Sequence, residues 1–364
     1  MHKHKSKTQF HTSDTETIPV ALGNRYVFLV LPIVLLGLLA ITLWLSLTAN
    51  QTETNNLPPP LPPIDTAVIG NEPIRPIPLT TDVNPEKAAL GQRLFFDPRL
   101  SSNDTIACST CHNLDNGGAD NLSKPMGAGG IIGQANTLSV FNSVNNFALF
   151  WDGRASSLEE QIDGPINNPA EMASSWEQVI GKLNKDPDYV KDFNQLYPQG
   201  ITRHTIKDAI ASFERTLITP NSRFDRYLRG EKDAINDQEK QGYQLFKAYG
   251  CIACHQGVNV GGNMFQKFGV MADYFSTLGS TEQVNLGRFN VTGKIEDRYY
   301  FRVPSLRNVA LTAPYFHNGS AKTLQQAVHI MAKFQLGRSI PQQDVNAIIS
   351  FLETLTGVYN GKAL

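Results

Sequence analysis

The sequence predicts a mainly α-helical protein of two similar small domains with long loops, preceded by one N-terminal transmembrane helix. Three observations support this fold class. All four cysteines of the 364 residues lie in two copies of one pattern, Cys-x-x-Cys-His. A similar apolar pattern with helical spacing precedes each copy. Near the N-terminus, a long apolar run follows several basic residues. The repeat therefore indicates two related units of ordinary domain size.

The two cysteine patterns are attachment sites for c-type haem. In this pattern two thiols form thioether bonds to the haem, and the adjacent histidine binds the iron. A zinc site or a redox dithiol would need the cysteines without the histidine, so the repeated histidine favours two covalently bound haem c groups. The residues are Cys108, Cys111 and His112 in the first copy, and Cys251, Cys254 and His255 in the second.

The N-terminal apolar run, residues 26–47, is about long enough to cross a bilayer as a helix. Basic residues precede it, so the positive-inside rule predicts that residues 1–25 form a cytoplasmic tail. A cleaved signal peptide is the alternative, but the run is long for one and no good cleavage site follows. We therefore predict an anchor over residues 26–48 in the inner membrane, with the rest of the chain in the periplasm. A proline-rich spacer follows over 49–80.

Two helices with related sequences precede the haem patterns. One is predicted to begin after Asn84, with Pro85 at its first position, and the other after Asn236. Each is typical of the first helix of a cytochrome c-like domain. We therefore divide the rest of the chain into an N-terminal haem domain over 81–225 and a C-terminal haem domain over 226–364. Apolar periodicity predicts further helices over 205–217, 324–333 and 342–355.

The group opposite each histidine decides what its iron can do, because an iron with two strong ligands transfers electrons. Beyond the second haem pattern, Met264 follows His255 too closely to wrap round a haem. Met331 lies far downstream at the end of a predicted helix, as a cytochrome c ligand would, and thioether ligation raises the haem potential. The alternative is that Met331 only fills the core. We predict that Met331 is the second ligand.

Five longer motifs occur in an order that is typical of one family. They are LFFDPRLS at 94–101, FWDGR at 150–154, GPINNPAEM at 164–172, VPSLRN at 303–308 and TAPYFHNG at 312–319. In these motifs the chain resembles the bacterial dihaem cytochrome c peroxidases, from about residue 85 to residue 355. The resemblance implies an enzyme that reduces hydrogen peroxide to water at the N-terminal haem. The C-terminal haem would store and pass electrons.

The resemblance also implies roles for individual residues. Glu171 would be the distal acid–base residue, because a carboxyl group there can shuttle a proton during O–O cleavage. Gln161 would orient the peroxide, Trp151 would carry electrons between the haems, and His317 would lie near a haem edge. Without the surrounding motifs, Glu171 would be interpreted as a solvated loop carboxylate and Trp151 as a core aromatic residue.

The resemblance implies a further cofactor and several partners. The oxygens of Asn136, Thr312 and Pro314 match positions that bind a calcium ion between the domains, and calcium prefers oxygen ligands. The sequence leaves three classes of electron donor open, namely a small periplasmic cytochrome c, a copper protein and membrane quinol, and the resemblance implies a homodimer. The formal net charge of −1 gives no indication of a nucleic-acid partner.

Two positions bear on the type of enzyme. Met331 falls where the peroxidases have a methionine ligand, whereas the related MauG enzymes, which mature a tryptophan-derived quinone, have a tyrosine. Ala128 stands where many of the peroxidases have a histidine that caps the resting peroxidatic iron, and alanine cannot bind iron. Met126 in the same loop is the alternative cap. We therefore expect one accessible haem in the oxidised protein.

Two alternative functions remain open. One is a MauG-like oxidase that acts on a protein substrate. The other is a dihaem electron carrier without enzymatic activity, in which both irons would have two strong ligands.

Overall fold

Helices joined by long loops make up most of the described protein. The computed structural model describes residues 72–279 and 282–364. The helices are α1 (Pro85–Phe95), α2 (Cys108–Cys111), α3 (Leu158–Asn167), α4 (Trp176–Leu183), α5 (Pro187–Leu196), α6 (Arg203–Thr216), α7 (Arg223–Leu228), α8 (Asp237–Ala248), α9 (Phe289–Thr292), α10 (Leu324–Ile330) and α11 (Gln342–Glu353). Two short antiparallel pairs complete the fold, β1 (Phe265–Lys267) with β2 (Tyr300–Arg302), and β3 (Val358–Tyr359) with β4 (Lys362–Ala363). The mainly helical fold class is confirmed.

The first helix of each half packs against the last long helix of that half at a buried glycine. A Cβ atom at Gly91 of α1 would lie 1.8 Å from the carbonyl oxygen of Ala209 in α6. A Cβ atom at Gly242 of α8 would lie 1.9 Å from the carbonyl oxygen of Ala347 in α11. Neither approach leaves room for a side chain. The repeat in the sequence thus corresponds to a repeat in the packing of two helix pairs.

The predicted caps form at both first helices. The Asn84 side chain accepts hydrogen bonds from the N–H groups of Glu86 and Lys87, at 2.9 Å each. At the start of α8, Asn236 and Glu239 form a reciprocal capping box. These caps satisfy N–H groups that have no partner within the helix.

The helix that carries Met331 ends differently from the sequence prediction. The α-helix α10 stops at Ile330, and Met331–Gln335 form a π-helical turn. Such turns occur frequently at functional sites. The turn therefore sets the direction of the Met331 side chain in a way that 3.6-residue periodicity does not predict.

Each half buries its own apolar core. In the first half it includes Leu94, Phe193 and Ile210, and in the second Phe246 and Ile348. All the described residues belong to one compact unit, and the boundary between 225 and 226 stays a prediction. Among the described residues no helix is long and apolar enough to cross a membrane. The tail and anchor predicted over residues 1–48 lie outside the described residues, as does the linker up to residue 71.

Candidate haem sites and active site

A cavity of about 240 Å³ lies next to the second Cys-x-x-Cys-His pattern. Its lining includes Cys251, Cys254 and His255, together with the predicted ligand Met331. The Nδ1 atom of His255 lies 3.3 Å from the carbonyl oxygen of Val260, which leaves Nε2 for an iron. Burial lowers the pKa of His255 to about 4, so its ring is neutral. These residues would hold a haem c, and His255 and Met331 are the candidates to bind its iron.

The first Cys-x-x-Cys-His pattern has a similar local geometry. Cys108 and Cys111 lie in the short helix α2, and both are half-buried and free of disulfides. The Nδ1 atom of His112 lies 3.2 Å from the carbonyl oxygen of Gly118. Burial also lowers the pKa of His112. This pattern is therefore equally suited to hold haem c through two thioether bonds and one neutral histidine.

The turn after α3 brings Glu171 to the first haem site. Burial, together with the charges of Asp120 and Glu171, raises the pKa of the Cys111 thiol to about 11. The Oε1 atom of Glu171 accepts a hydrogen bond from Nδ2 of Asn168 at 2.6 Å. Burial raises the pKa of Glu171, although the bond from Asn168 and the charge of Arg154 act in the opposite direction. A half-buried carboxyl group with a raised pKa is suited to hold and release a proton.

The glycine-rich loop that contains Ala128 packs against the backbone of Glu171. The N–H group of Ala128 donates to the carbonyl oxygen of Glu171 at 2.6 Å. A Cβ atom at Gly127 would lie 2.3 Å from the carbonyl oxygen of Ala170, so the close approach requires glycine. Ala128 is buried, whereas Met126 is 53% exposed. The loop therefore supports the segment that carries Glu171 and leaves Met126 in contact with solvent.

Gln161 lies on α3, the helix that leads into the Glu171 turn. Its side chain is half-buried and forms no hydrogen bond to another described residue. The amide group is therefore available to a ligand. Its predicted contact with peroxide stays a prediction.

Trp151 and His317 both line the second cavity. The Nε1 atom of Trp151 donates to the carbonyl oxygen of Asn136 at 2.8 Å, and the Trp151 ring lies edge-on to His317 with 6.3 Å between centroids. His317 is 1% exposed and stacks on Phe301, and its Nε2 atom lies 2.7 Å from Oδ1 of Asn285. Burial lowers the pKa of His317 to about 3, so its ring is neutral. Both residues border the second haem site, and the role of Trp151 in electron transfer and the place of His317 at a haem edge stay predictions.

The loop formed by residues 150–154 reaches both haem sites. Trp151 lines the second cavity, and Arg154 acts electrostatically on Glu171 at the first site. The Arg154 guanidinium lies 3.4 Å from the centroid of the Phe150 ring and pairs with Asp152 at 3.0 Å. A short segment of backbone thus connects the two sites.

The three residues expected to bind calcium also line the second cavity, namely Asn136, Thr312 and Pro314. Nδ2 of Asn136 donates to the carbonyl oxygen of Leu122 at 2.8 Å. Within the described ranges, no cluster of three or more His, Cys, Asp or Glu side chains is arranged to hold a metal ion. A calcium ion here would depend on amide and backbone oxygens, and its binding stays a prediction.

Comparison with known proteins agrees with this arrangement. Residues 85–233 match the family model for di-haem cytochrome c peroxidase, and residues 239–356 match the model for cytochrome c. The chain is 47% identical over 288 residues to cytochrome c551 peroxidase of Nitrosomonas europaea, an alignment that covers 79% of this chain and 85% of that protein. The chain belongs to the bacterial dihaem cytochrome c peroxidases. The predicted enzyme class, a peroxidase-type oxidoreductase with two haem c groups, is thereby confirmed.

Two further comparisons concern the coverage of a longer relative and the similarity to a MauG-like protein. The chain is 49% identical over 290 residues to cytochrome c peroxidase Ccp of Escherichia coli, which covers 79% of this chain but only 62% of that longer protein. Among solved structures, a MauG-like protein associated with microbial copper homeostasis has a TM-score of 0.68 and 29% identity. That match covers 80% of this chain and 95% of that one. The peroxidases of Escherichia coli and Nitrosomonas europaea are thus more similar to this chain in sequence than this MauG-like protein is.

Two residues of this dihaem peroxidase escaped the sequence interpretation. Asn168 binds the Glu171 carboxyl group, and its position three residues earlier in a turn could have suggested this contact. Arg302 is 2% exposed in the wall of the second cavity. A charged residue between the apolar residues Phe301 and Val303 was the available signal.

Proposed function

We propose that this protein reduces hydrogen peroxide to two waters at the first haem site, using two electrons and two protons. The observation that carries the proposal is the half-buried carboxyl group of Glu171, whose charge raises the pKa of the Cys111 thiol at the first haem site. A haem c held by Cys108, Cys111 and His112 would supply redox-active iron at this site. The relatives named as cytochrome c peroxidases support the same substrate.

Glu171 moves the proton in this proposal. Asn168 holds Oε1 of the carboxyl group at 2.6 Å, so Oε2 is the atom free to act. The ionised carboxylate accepts a proton from one peroxide oxygen and returns it to the departing oxygen. Such acid–base assistance contributes about 10²–10⁴ in rate. Gln161, with its free amide group, orients the peroxide.

Access to the first site needs no prior reduction in this proposal. The capping position is occupied by Ala128, whose N–H group is bound to the Glu171 backbone. Met126 is largely directed to solvent, at 53% exposure. Without a capping ligand the competent state is populated from the start.

The second site stores electrons and passes them on. His255 and Met331 line the same cavity, and ligation by both would raise the potential of that haem. Trp151 lies in the cavity wall and belongs to the loop that reaches Glu171. We therefore assign electron transfer between the sites to Trp151.

The location and partners are part of the proposal. Residues 26–48 anchor the chain in the inner membrane, and the haem-bearing part lies in the periplasm. The donor is a small cytochrome c, a copper protein or membrane quinol. A calcium ion bound by oxygens of Asn136, Thr312 and Pro314 supports the packing of the two halves, and the protein forms a homodimer.

Peroxide turnover with reduced cytochrome c as donor tests the function. The wild-type holoprotein should consume two electrons per peroxide, and Glu171→Gln should lose most of this activity. Glu177→Gln, an exposed carboxylate in the next helix, is the matched control and should behave as wild type. Equal activity in all three proteins would contradict the role of Glu171, and no turnover in any of them would contradict the function.

A further inference from the structure

Two buried arginines in the wall of the second cavity differ in charge pairing. Arg307 pairs with Asp225, whose carboxyl oxygen lies 2.8 Å from Nη1, and both side chains are 0% exposed. Arg302 is 2% exposed, and no carboxylate of the described residues pairs with it. A buried charge without a counter-charge is costly. Arg302 is therefore the group in this wall that needs an anion.

The hydrogen bonds of Arg302 leave its charge uncompensated. Nε donates to the carbonyl oxygen of Phe150 at 3.2 Å, and Nη1 donates to Oδ1 of Asn146 at 3.3 Å and to the carbonyl oxygen of Val303 at 3.5 Å. These acceptors are neutral, and Nη2 donates to no acceptor within the described residues. Burial lowers the pKa of Arg302 to about 10, which still leaves the guanidinium charged at neutral pH.

We propose that Arg302 binds a carboxylate of the group that fills this cavity, namely a propionate of the second haem c. A guanidinium matches a carboxylate in geometry and charge, and Arg302 lines the cavity beside Cys254 and His255. The inference rests on the proposed function only for the electron-storing role of the second haem. It does not depend on peroxide turnover.

The same arginine connects that carboxylate to the electron-transfer loop. Its side chain binds the carbonyl oxygen of Phe150, and its backbone N–H donates to the carbonyl oxygen of Trp151 at 2.8 Å. Strand β2 fixes this position, because Arg302 pairs with Phe265 in β1. Arg302 is thus a positioning residue for Trp151 as well as the proposed anion-binding residue.

The reduction potential of the second haem tests the proposal. A nearby cation favours the reduced state, because reduction removes one positive charge. Arg302→Gln should therefore lower this potential, with at least a tenfold fall in the reduced-to-oxidised ratio at a fixed applied potential. That fall corresponds to about 59 mV for a one-electron couple.

Arg288 offers a matched control. It donates to the carbonyl oxygen of Asp152 at 3.2 Å and lies over the Phe265 ring at 4.0 Å, but it does not line the cavity. Arg288→Gln should leave the potential unchanged. An unchanged potential in Arg302→Gln, or equal shifts in both variants, would overturn the proposal. A potential that depends on chloride at constant ionic strength would also overturn it, because a free anion would then be the partner.

A second measurement covers the case in which Arg302→Gln does not fold. Arg302→Lys keeps the charge but removes the guanidinium group, so the propionate bending band of the second haem should shift in resonance Raman spectra. In the half-reduced protein only the haem with the higher potential, the second haem, is reduced, so its band can be assigned separately. An unshifted band would contradict the contact. If wild type shows no peroxide turnover but the band and potential shift as expected, the proposed function fails and the Arg302 contact stands.

Discussion

The two halves of the chain share a helix pair and a histidine whose Nδ1 faces a carbonyl oxygen, yet they surround their haem sites with different groups. In the second half, Met331 lies in the cavity lining with His255. In the first half, the neighbouring groups are the carboxyl group of Glu171 and the buried methyl group of Ala128. The thioether of Met331 is suited to bind iron as a strong ligand. The methyl group of Ala128 cannot bind iron, and the carboxyl group of Glu171 is proposed to move protons instead.

This difference shows how one scaffold can serve two purposes. Cys108 and Cys251 of the two patterns each pack against the apolar core of their half, and the proposed chemistry depends on side chains from later segments. A polar turn carries the proposed acid–base residue Glu171 in one half, and a π-helical turn carries the proposed iron ligand Met331 in the other. We expect substitutions to affect the two halves separately.

The largest expected effect is at the first site. Glu171→Gln keeps the shape of the side chain but cannot relay a proton, so turnover should fall by about two to four orders of magnitude. Both haems should remain bound, with unchanged absorption spectra. Glu177→Gln controls for loss of an exposed carboxylate. Near-wild-type turnover in Glu171→Gln would move the acid–base role to another group.

Substitution of Met331 in the second half should alter the reduction potential of one haem. Met331→His should lower the potential of one haem on the order of 0.1 V or more, within the ~0.8 V that axial ligands span. Met331→Leu should change the spin state of the same haem. Potentiometric titration with spectroscopic detection measures both. If neither variant changes either haem, Met331 belongs to the core and the comparison fails.

The shared scaffold predicts matching losses of stability. Gly91→Ala and Gly242→Ala would each place a methyl group against a backbone carbonyl, within 1.8 Å and 1.9 Å. Overpacking of this kind costs about 1–3 kcal/mol of unfolding free energy. Gly181→Ala is the control, because a Cβ atom there meets nothing within 4 Å and Gly181 lies inside α4. That variant should gain about 0.5–1 kcal/mol, and denaturant unfolding measures all three.

The smallest expected effect is a shift in pH dependence. The Asn168 amide lowers the pKa of Glu171 by donating to its carboxylate. Asn168→Asp keeps the acceptor for the N–H group of Ala170 but removes the donor and adds a negative charge. The pKa of Glu171 should therefore rise.

Turnover needs ionised Glu171 at the start, so its rising limb should move to higher pH in Asn168→Asp. Asn167→Asp is the control, because Asn167 is exposed and bonds to the carbonyl oxygen of Asp163. The pH profile of kcat/KM decides the question. A limb that stays in place in Asn168→Asp, or moves equally in both variants, would show that Asn168 does not act through Glu171.

The sequence predicted the features that depend on short spacing. The haem patterns, the caps at Asn84 and Asn236 and the five predicted helices follow from residues within one or two turns of each other. The family motifs added the site residues, and the structure brings Trp151, His317 and Met331 to one cavity. Their proximity agrees with the implied arrangement, although their roles stay predictions.

The features that escaped prediction depend on contacts between distant segments. The glycine crossings join residues far apart in sequence, and apolar periodicity does not mark which glycine faces a carbonyl. Arg302 can be inferred to need an anion only because its side chain is buried and no carboxylate of the described residues pairs with it. The sequence shows neither feature. The π-helical turn at Met331 depends on packing and not on the helical period.

The spin state of the oxidised protein tests the central claim, that the first iron is open and the second is not. Electron paramagnetic resonance of the as-isolated oxidised protein should show one high-spin haem and one low-spin haem. Peroxide should then react without prior reduction. Two low-spin signals without a high-spin component would contradict the account. In that case another ligand, with Met126 the first candidate, would occupy the position that Ala128 leaves open.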